Sequence, residues 1–150
     1  LLEQLEQAVS RRVWLRSGGY ITIDKTEALT AIDVNTGKYI SGSSLAETVL
    51  KTNLEAAQEA ARQIRLRDIG GVIVIDFIDM AKAAHQEKVL ASFKEALAND
   101  RSRYHIVGIS EIGLLEMTRK SVSVGLDGYF TSVCPHCGQK TVNFKPKSSS

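Results

Sequence analysis

A chain of 150 residues, 43% of them hydrophobic, holds material for one buried core and has the size of a single ordinary domain, which excludes a disordered segment. Nineteen basic residues against seventeen acidic ones leave a net charge of +2, too small to argue for a nucleic-acid partner unless the cations cluster. No apolar run reaches the length of a membrane span and the N-terminus lacks the layout of a signal peptide, so a soluble, cytoplasmic protein is expected. The start at Leu1 rather than Met suggests a piece of something longer.

In chain order, residues 1 to 9 read as a short helix, and residues 1 to 16 as a whole as a helical lead-in or linker ending at the turn signal Ser17-Gly18-Gly19. Tyr20 to Asp24 and Ala28 to Val34 alternate as strands do, and the short connection between them predicts an antiparallel pair. Ser44-Leu45-Ala46-Glu47 has capping-box spacing. A long helix should follow it, with Ala46, Leu50, Leu54, Ala57, Ala61 and Ile64 as its apolar stripe and Gly70-Gly71 as its stop. The small residues in that stripe predict close packing on the sheet. A strand through Val72 to Phe77 comes next, then a second helix burying Val89, Leu90, Phe93 and Leu97 and leaving at Asn99-Asp100, then a strand from Tyr104 to Ser110. This order predicts an α/β or α+β fold, a sheet covered by two helices. The composition changes at Val133, and residues 143 to 150 read as a loose tail.

Two of the strand runs contain a carboxylate where a buried strand would take another aliphatic residue: Asp33 in Ala31-Ile32-Asp33-Val34-Asn35, and Asp76 in Val72 to Phe77. A carboxylate in such a setting is costly unless its charge is compensated, and a cation is the obvious partner. Two aspartates without a nearby histidine suit magnesium, which takes one or two protein carboxylates and fills its other positions with water and phosphate oxygens. Asn35, two residues beyond Asp33, shares its strand face and can hydrogen-bond that carboxylate. The pair therefore predicts metal-assisted phosphodiester hydrolysis, with RNA or DNA as substrate. The competing reading is structural, with both aspartates at strand ends, capping turns or pairing with arginines. Asp24, Glu27 and Asp79 are expected to be solvated or capping residues.

Basic residues cluster at Arg62, Arg65 and Arg67 and again at Arg101, Arg103, Arg119 and Lys120; Arg65, Arg67, Arg103, Arg119 and Lys120 are the candidate phosphate contacts. Tyr104, Tyr129 and Phe130 are the aromatics considered for base stacking. Cys134-Pro135-His136-Cys137-Gly138 resembles a redox C-x-x-C, but only thirteen residues follow Cys137, too few to complete a redox fold around it. A zinc knuckle fits better. Structural zinc takes four ligands, and the missing two would come from His136 or His105, or more simply from the same cysteines of a second chain.

The runs Thr26 to Asn35, Lys51 to Ala57, Arg65 to Gly71 and Ile75 to Met80, together with Ser17-Gly18-Gly19, resemble the catalytic region of the ribonuclease E/G family over about residues 12 to 138. The resemblance implies a DNase I-like subdomain, residues 17 to 130, with a magnesium ion between Asp33 and Asp76 and Asn35 assisting. It implies endonucleolytic cleavage of single-stranded, AU-rich RNA, serving rRNA and tRNA processing and mRNA decay. It also implies a zinc-link over residues 131 to 142, in which Cys134 and Cys137 join two protomers, with a tetramer and RNA-degradation partners in the complete enzyme. The upstream RNA-binding and 5′-sensing parts of the family are absent from these residues. Arg16 stands where the family often has proline, and Gly138-Gln139-Lys140 where it continues Gly-x-Gly. A non-catalytic module for zinc-linked assembly and RNA binding is the alternative.

Overall fold

The computed structural model describes residues 2–37, 45–121, 131–133 and 140–142. Its elements are α1 (Leu2–Val9), β1 (Arg12–Trp14), β2 (Tyr20–Lys25), β3 (Leu29–Asn35), α2 (Leu45–Leu66), β4 (Gly71–Asp76), α3 (Ala83–Leu97), β5 (Tyr104–Ile109), β6 (Leu114–Arg119), β7 (Thr131–Val133) and β8 (Lys140–Val142). The first six strands make one mixed sheet in the order β1-β2-β3-β4-β6-β5, while β7 and β8 form a separate hairpin. The expected α+β class is thus what the chain adopts.

Alternation along the strands decides which face is covered. Ile21 and Ile23 of β2, Ile32 and Val34 of β3, Ile73 and Ile75 of β4, and Leu115 and Met117 of β6 are all buried in one cluster with Ala56, Ala57, Ala60, Ala61 and Ile64 of α2 and Val89, Phe93 and Leu97 of α3. Side chains of opposite parity, among them Tyr20, Asp24, Asp33, Asn35 and Asp76, belong to the other face. Both helices therefore lie on one side of the sheet. β3 and β4 are parallel, as a strand–helix–strand crossover through α2 requires, and every other pairing is antiparallel.

Four differences from the sequence reading have physical causes. Residues 12–14, expected to be part of a lead-in, pair with β2 as the edge strand of the sheet. Strand β6, absent from the expected order, inserts between β4 and β5; a tight turn at Gly113 (φ 86°), where the Gly113 amide donates to the Ser110 carbonyl, reverses the chain into it. The buried stripe of α2 is rotated from the one expected, with Ala46 exposed, Leu50 and Leu54 half-buried, and Thr52, Asn53 and Gln63 inside. Its small residues allow close contact with α3 more than with the sheet. Finally, α2 ends before the glycine pair. Asp68 takes the left-handed conformation (φ 49°), its amide donating to the Arg65 carbonyl and that of Ile69 to the Ile64 carbonyl at 2.9 Å, with Ile69 and Ile64 both in the core. This is a Schellman ending in which an aspartate stands where glycine is usual. The Ser44 cap lies outside the described residues.

A buried ionic cluster holds that strained residue. Arg119, at the end of β6, donates through Nη1 to Asp68 Oδ1 (2.9 Å) and the Ile69 carbonyl (3.0 Å), and through Nε and Nη2 to both oxygens of Asp100 (2.7 and 3.1 Å). Ser121 Oγ donates to Asp68 Oδ2 at 2.8 Å. Burial alone would raise the Asp100 carboxyl, but the hydrogen bonds from Arg119 and from the Ser102 amide, with the Arg119 charge, hold it below the usual carboxylate range.

Candidate metal centre on the open sheet face

β3 and β4 run parallel and in register, so Asp33 stands directly beside Asp76 at the carboxyl ends of the two strands. Adjacent strands lie about 4.8 Å apart, a separation at which two carboxylates on one face can share a cation. Both residues are exposed. Asn35, next on the same face of β3, donates from Nδ2 to Asp33 Oδ2 at 3.1 Å. The Asp76 carboxyl is pushed above its ordinary value, first by partial desolvation and then by the charges of Asp33 and Asp79. A cation at these strand ends would relieve the part of the shift that comes from Asp33 and Asp79. Among the described residues no group of three or more His, Cys, Asp and Glu side chains is gathered as a cation cage. Two carboxylates and open space are what magnesium asks of a protein, so the donor set fits that ion.

Asn53 supports the site from behind, a role that its sequence setting does not disclose. It is fully buried on α2; Nδ2 donates to the Ile78 carbonyl at 2.8 Å and Oδ1 accepts from the Ile78 amide at 3.0 Å. The two bonds mimic a strand partner for the segment that follows β4 and its terminal Asp76, the one carrying Asp79. Asp79, expected to be merely solvated, is close enough to raise Asp76. On the β3 side the chain is held by close packing. A Cβ on Gly19 would stand 2.7 Å from the Asn35 carbonyl oxygen and 3.2 Å from Thr52 Cγ2, so only glycine fits beside the strand end that bears Asn35.

The five basic candidates do not assemble at this centre. Arg119 is buried in the ionic cluster described above. Arg67 is also buried, with Nε on Gln63 Oε1 (3.0 Å) and Nη2 on the Ser10 carbonyl (2.6 Å). Their guanidinium groups are engaged by the chain itself, so both serve the fold where RNA contacts were expected of them. Arg65 is exposed at the end of α2 and reaches the Ala96 carbonyl at 3.3 Å. Arg103 and Lys120 are exposed and line one shallow depression with Tyr104, His105, Thr118 and Arg119. That depression lies near the Gly71 end of β4, about five residues or ~16 Å along the strand from Asp76. Two exposed cations at the β1 edge of the same sheet carry no signal in the sequence: Arg11, bonded to Asp24 through Nε and Nη2 and close enough to feel the charge of Asp33, and Arg12, two strands from Asp33. Cys134, His136, Cys137, Tyr129 and Phe130 lie outside the described residues, and no helix among the described ones is long and apolar enough to cross a membrane.

Fold and site together define a mixed-sheet α+β subdomain that presents a carboxylate pair at the carboxyl ends of a parallel strand pair. The model of the ribonuclease E/G family matches residues 1–122, and the chain belongs to that family. It is similar to a ribonuclease G of Salmonella typhimurium (strain SL1344), 46% identical over 140 residues that make up 93% of this chain and 29% of the relative. It is also similar to the ribonuclease E of Escherichia coli (strain K12), 53% identical over 134 residues (89% of this chain, 13% of the relative), and to that of Haemophilus influenzae, 52% identical with 14% of the relative covered. The chain thus spans less than a third of the length of these relatives.

Proposed function

We propose that this chain is the metal-holding catalytic part of a cytoplasmic endoribonuclease that hydrolyses single-stranded, AU-rich RNA in rRNA and tRNA processing and mRNA decay. The observation that carries the reading is the in-register pairing of Asp33 with Asp76 on an open face, with Asn35 bonded to Asp33, in a chain of the ribonuclease E/G family. Asp33 and Asp76 would hold a magnesium ion, which when bound acidifies and positions water and offsets charge developing on the phosphate. Asn35 holds the Asp33 carboxylate through Oδ2, which would orient that carboxylate for the ion, and its own amide oxygen would be open to an incoming water or ribose hydroxyl. Asn53 keeps the Asp76 segment from moving when the repulsion within the carboxylate cluster is relieved. Arg103, Lys120 and, on the helical side, Arg65 would meet phosphates well away from the reacting one.

Cys134 and Cys137 are proposed as half of a tetrathiolate zinc site shared with a second chain, giving a homodimer and, in the complete enzyme, a tetramer that RNA-degradation partners could join. In sequence the motif lies between β7 and β8, which pair antiparallel, and that placement supports the reading. The second reading, an RNA-binding and assembly module inactive by itself, is favoured by one observation, the small share of each relative that the chain covers.

One experiment separates them: cleavage of a 5′-monophosphorylated AU-rich RNA by this chain with and without magnesium, with Asp76→Asn as the control. Cutting that needs both the ion and Asp76 is the expected result. No cutting by the chain, with none restored in the full-length protein carrying Asp76, would sink the catalytic reading.

A further inference from the structure

The edge of the sheet next to the carboxylate pair carries an unexplained group of side chains. Val13 is in the core, so its neighbours Arg12 and Trp14 on β1 project from the open face. The register continues across the sheet: Trp14 faces Tyr20, which faces Asn35, and Arg12 faces Thr22, which faces Asp33, which faces Asp76. Two cross-strand rows therefore run from this edge into the candidate metal centre, and Arg12 is two strand spacings, about 10 Å, from Asp33. Trp14 is 57% exposed. Its ring meets Tyr20 edge-on (centroids 5.2 Å apart, planes at 61°), and the Arg12 guanidinium lies 4.4 Å from the Tyr20 centroid and 5.7 Å from that of Trp14. Among the described residues Arg12 pairs with no carboxylate, unlike Arg11, which is bound to Asp24.

Resting on the ribonuclease reading of Asp33 and Asp76, we infer that Trp14, Arg12 and Tyr20 form a nucleotide subsite that stacks a base of single-stranded RNA beside the scissile phosphate. An indole with over half its surface in water offers a flat apolar face that any base can cover, without regard to sequence. The guanidinium, stacked 4.4 Å from the Tyr20 centroid beside the edge-on ring pair, supplies the positive charge that the adjoining phosphate needs. Being on the edge strand, Trp14 has no further strand beyond it among the described residues, so an RNA strand can reach it without displacing the fold. Arg12 and Trp14 occupy neighbouring rows, so a base on Trp14 places its phosphate toward the row that ends in Asp33 and Asp76. Substrate held this way would lie across the strands. The subsite binds and orients; it takes no part in bond breaking.

Trp14 is the one tryptophan of the chain, so its fluorescence reports the platform directly. The test uses the full chain with a short AU-rich RNA oligonucleotide carrying a dye, first in EDTA for binding and then with magnesium for cleavage. Expected are quenching of Trp14 as RNA binds, a 5- to 100-fold rise in Kd and KM for Trp14→Ala with kcat unchanged, and near-complete rescue by Trp14→Phe. RNA that binds without quenching Trp14 would overturn the inference even if Trp14→Ala failed to fold. So would a Trp14→Ala protein with wild-type Kd and KM; if Asp76→Asn still stops cleavage, the ribonuclease reading survives that loss. RNA neither bound nor cut by this chain, with neither property restored in the full-length protein, overturns both.

Discussion

Arg119→Met removes the centre of the buried ionic cluster while keeping most of the side chain's length. Its partners stay behind: Asp68 is 8% exposed, and the Asp100 side chain 4%. Removing one member of a buried charge pair costs about 3–5 kcal/mol, because the remaining charge is left in a poorly solvated place. Here two carboxylates and the Ile69 carbonyl lose their donor together, and Asp68 must still hold its left-handed backbone, so the upper half of that range applies. In a domain of this size 1 kcal/mol moves Tm by about 2–4 °C, which puts the expected fall at roughly 8–20 °C. The pH dependence tests the cause. Asp100 is held below the usual carboxylate range in the folded protein, so its contribution is present above the unfolded value of about 3.9 and is lost as pH falls through the folded value. The wild type should therefore lose stability in acid, most steeply below about pH 4. In the variant Asp100 loses the Arg119 hydrogen bonds and charge that offset its burial, so desolvation would push its carboxyl up and lowering the pH from 7 should restore part of the lost stability. Thermal unfolding by circular dichroism between pH 3 and pH 7 reads both effects. A Tm within about 2 °C of wild type at pH 7, together with weaker RNA binding, would show that Arg119 serves the substrate after all and would refute the argument.

Other consequences follow from the site's geometry. Asp76→Asn should abolish cleavage, a loss of at least about a hundred-fold, while raising Tm in EDTA by about 1–3 °C; the like-charge contact with exposed Asp33 is worth only about 0.2–1 kcal/mol. A fall in Tm would mean that the carboxylate is structural. Asn53→Ala should cost about 1–3 kcal/mol in urea unfolding, since the Ile78 amide and carbonyl both lose their partner, and should raise the magnesium concentration needed for half-maximal cleavage. An unchanged magnesium dependence would confine Asn53 to stability. Gly19→Ala should push the Asn35 carbonyl away, costing about 1–3 kcal/mol and lowering kcat more than it raises KM. A variant with wild-type kcat would show that the Asn35 position is not critical.

The parts of the molecule that the sequence discloses are those in which one residue's neighbours along the chain carry the signal. Asp33 and Asp76 stand out because each interrupts an apolar run, and β2 to β4 because each is a short apolar or alternating run of strand length. β6 was hidden by Leu114-Leu115, a doublet that breaks the alternation even though Leu115, Met117 and Arg119 do point inward. The face of α2 was misjudged for a related reason. Large leucines at 50 and 54 draw the stripe toward themselves, whereas the buried positions include Thr52, Asn53 and Gln63, whose polar atoms are satisfied by groups that the local sequence does not show. Arg67 and Arg119 looked like substrate cations because charge is visible in a sequence and burial beside a distant acceptor is not. The same holds for Trp14, whose significance lies in the strands that carry it toward Asn35 and Asp33.

The parallel pairing of β3 with β4 ties the chemistry of the surface to the interior. Ile32 beside Ile75 on the covered face and Asp33 beside Asp76 on the open one are consecutive rungs of one ladder. Shifting β4 by a single residue would drive Asp76 into the core and expose Ile75, so the hydrophobic layer itself forbids any slip. The spacing between the two negative charges is thus a dimension set by oil-like packing on the far side of the sheet, 43 residues of chain apart but one strand spacing wide. Mutations that loosen Ile73 or Ile75 would detune the carboxylate pair without touching it.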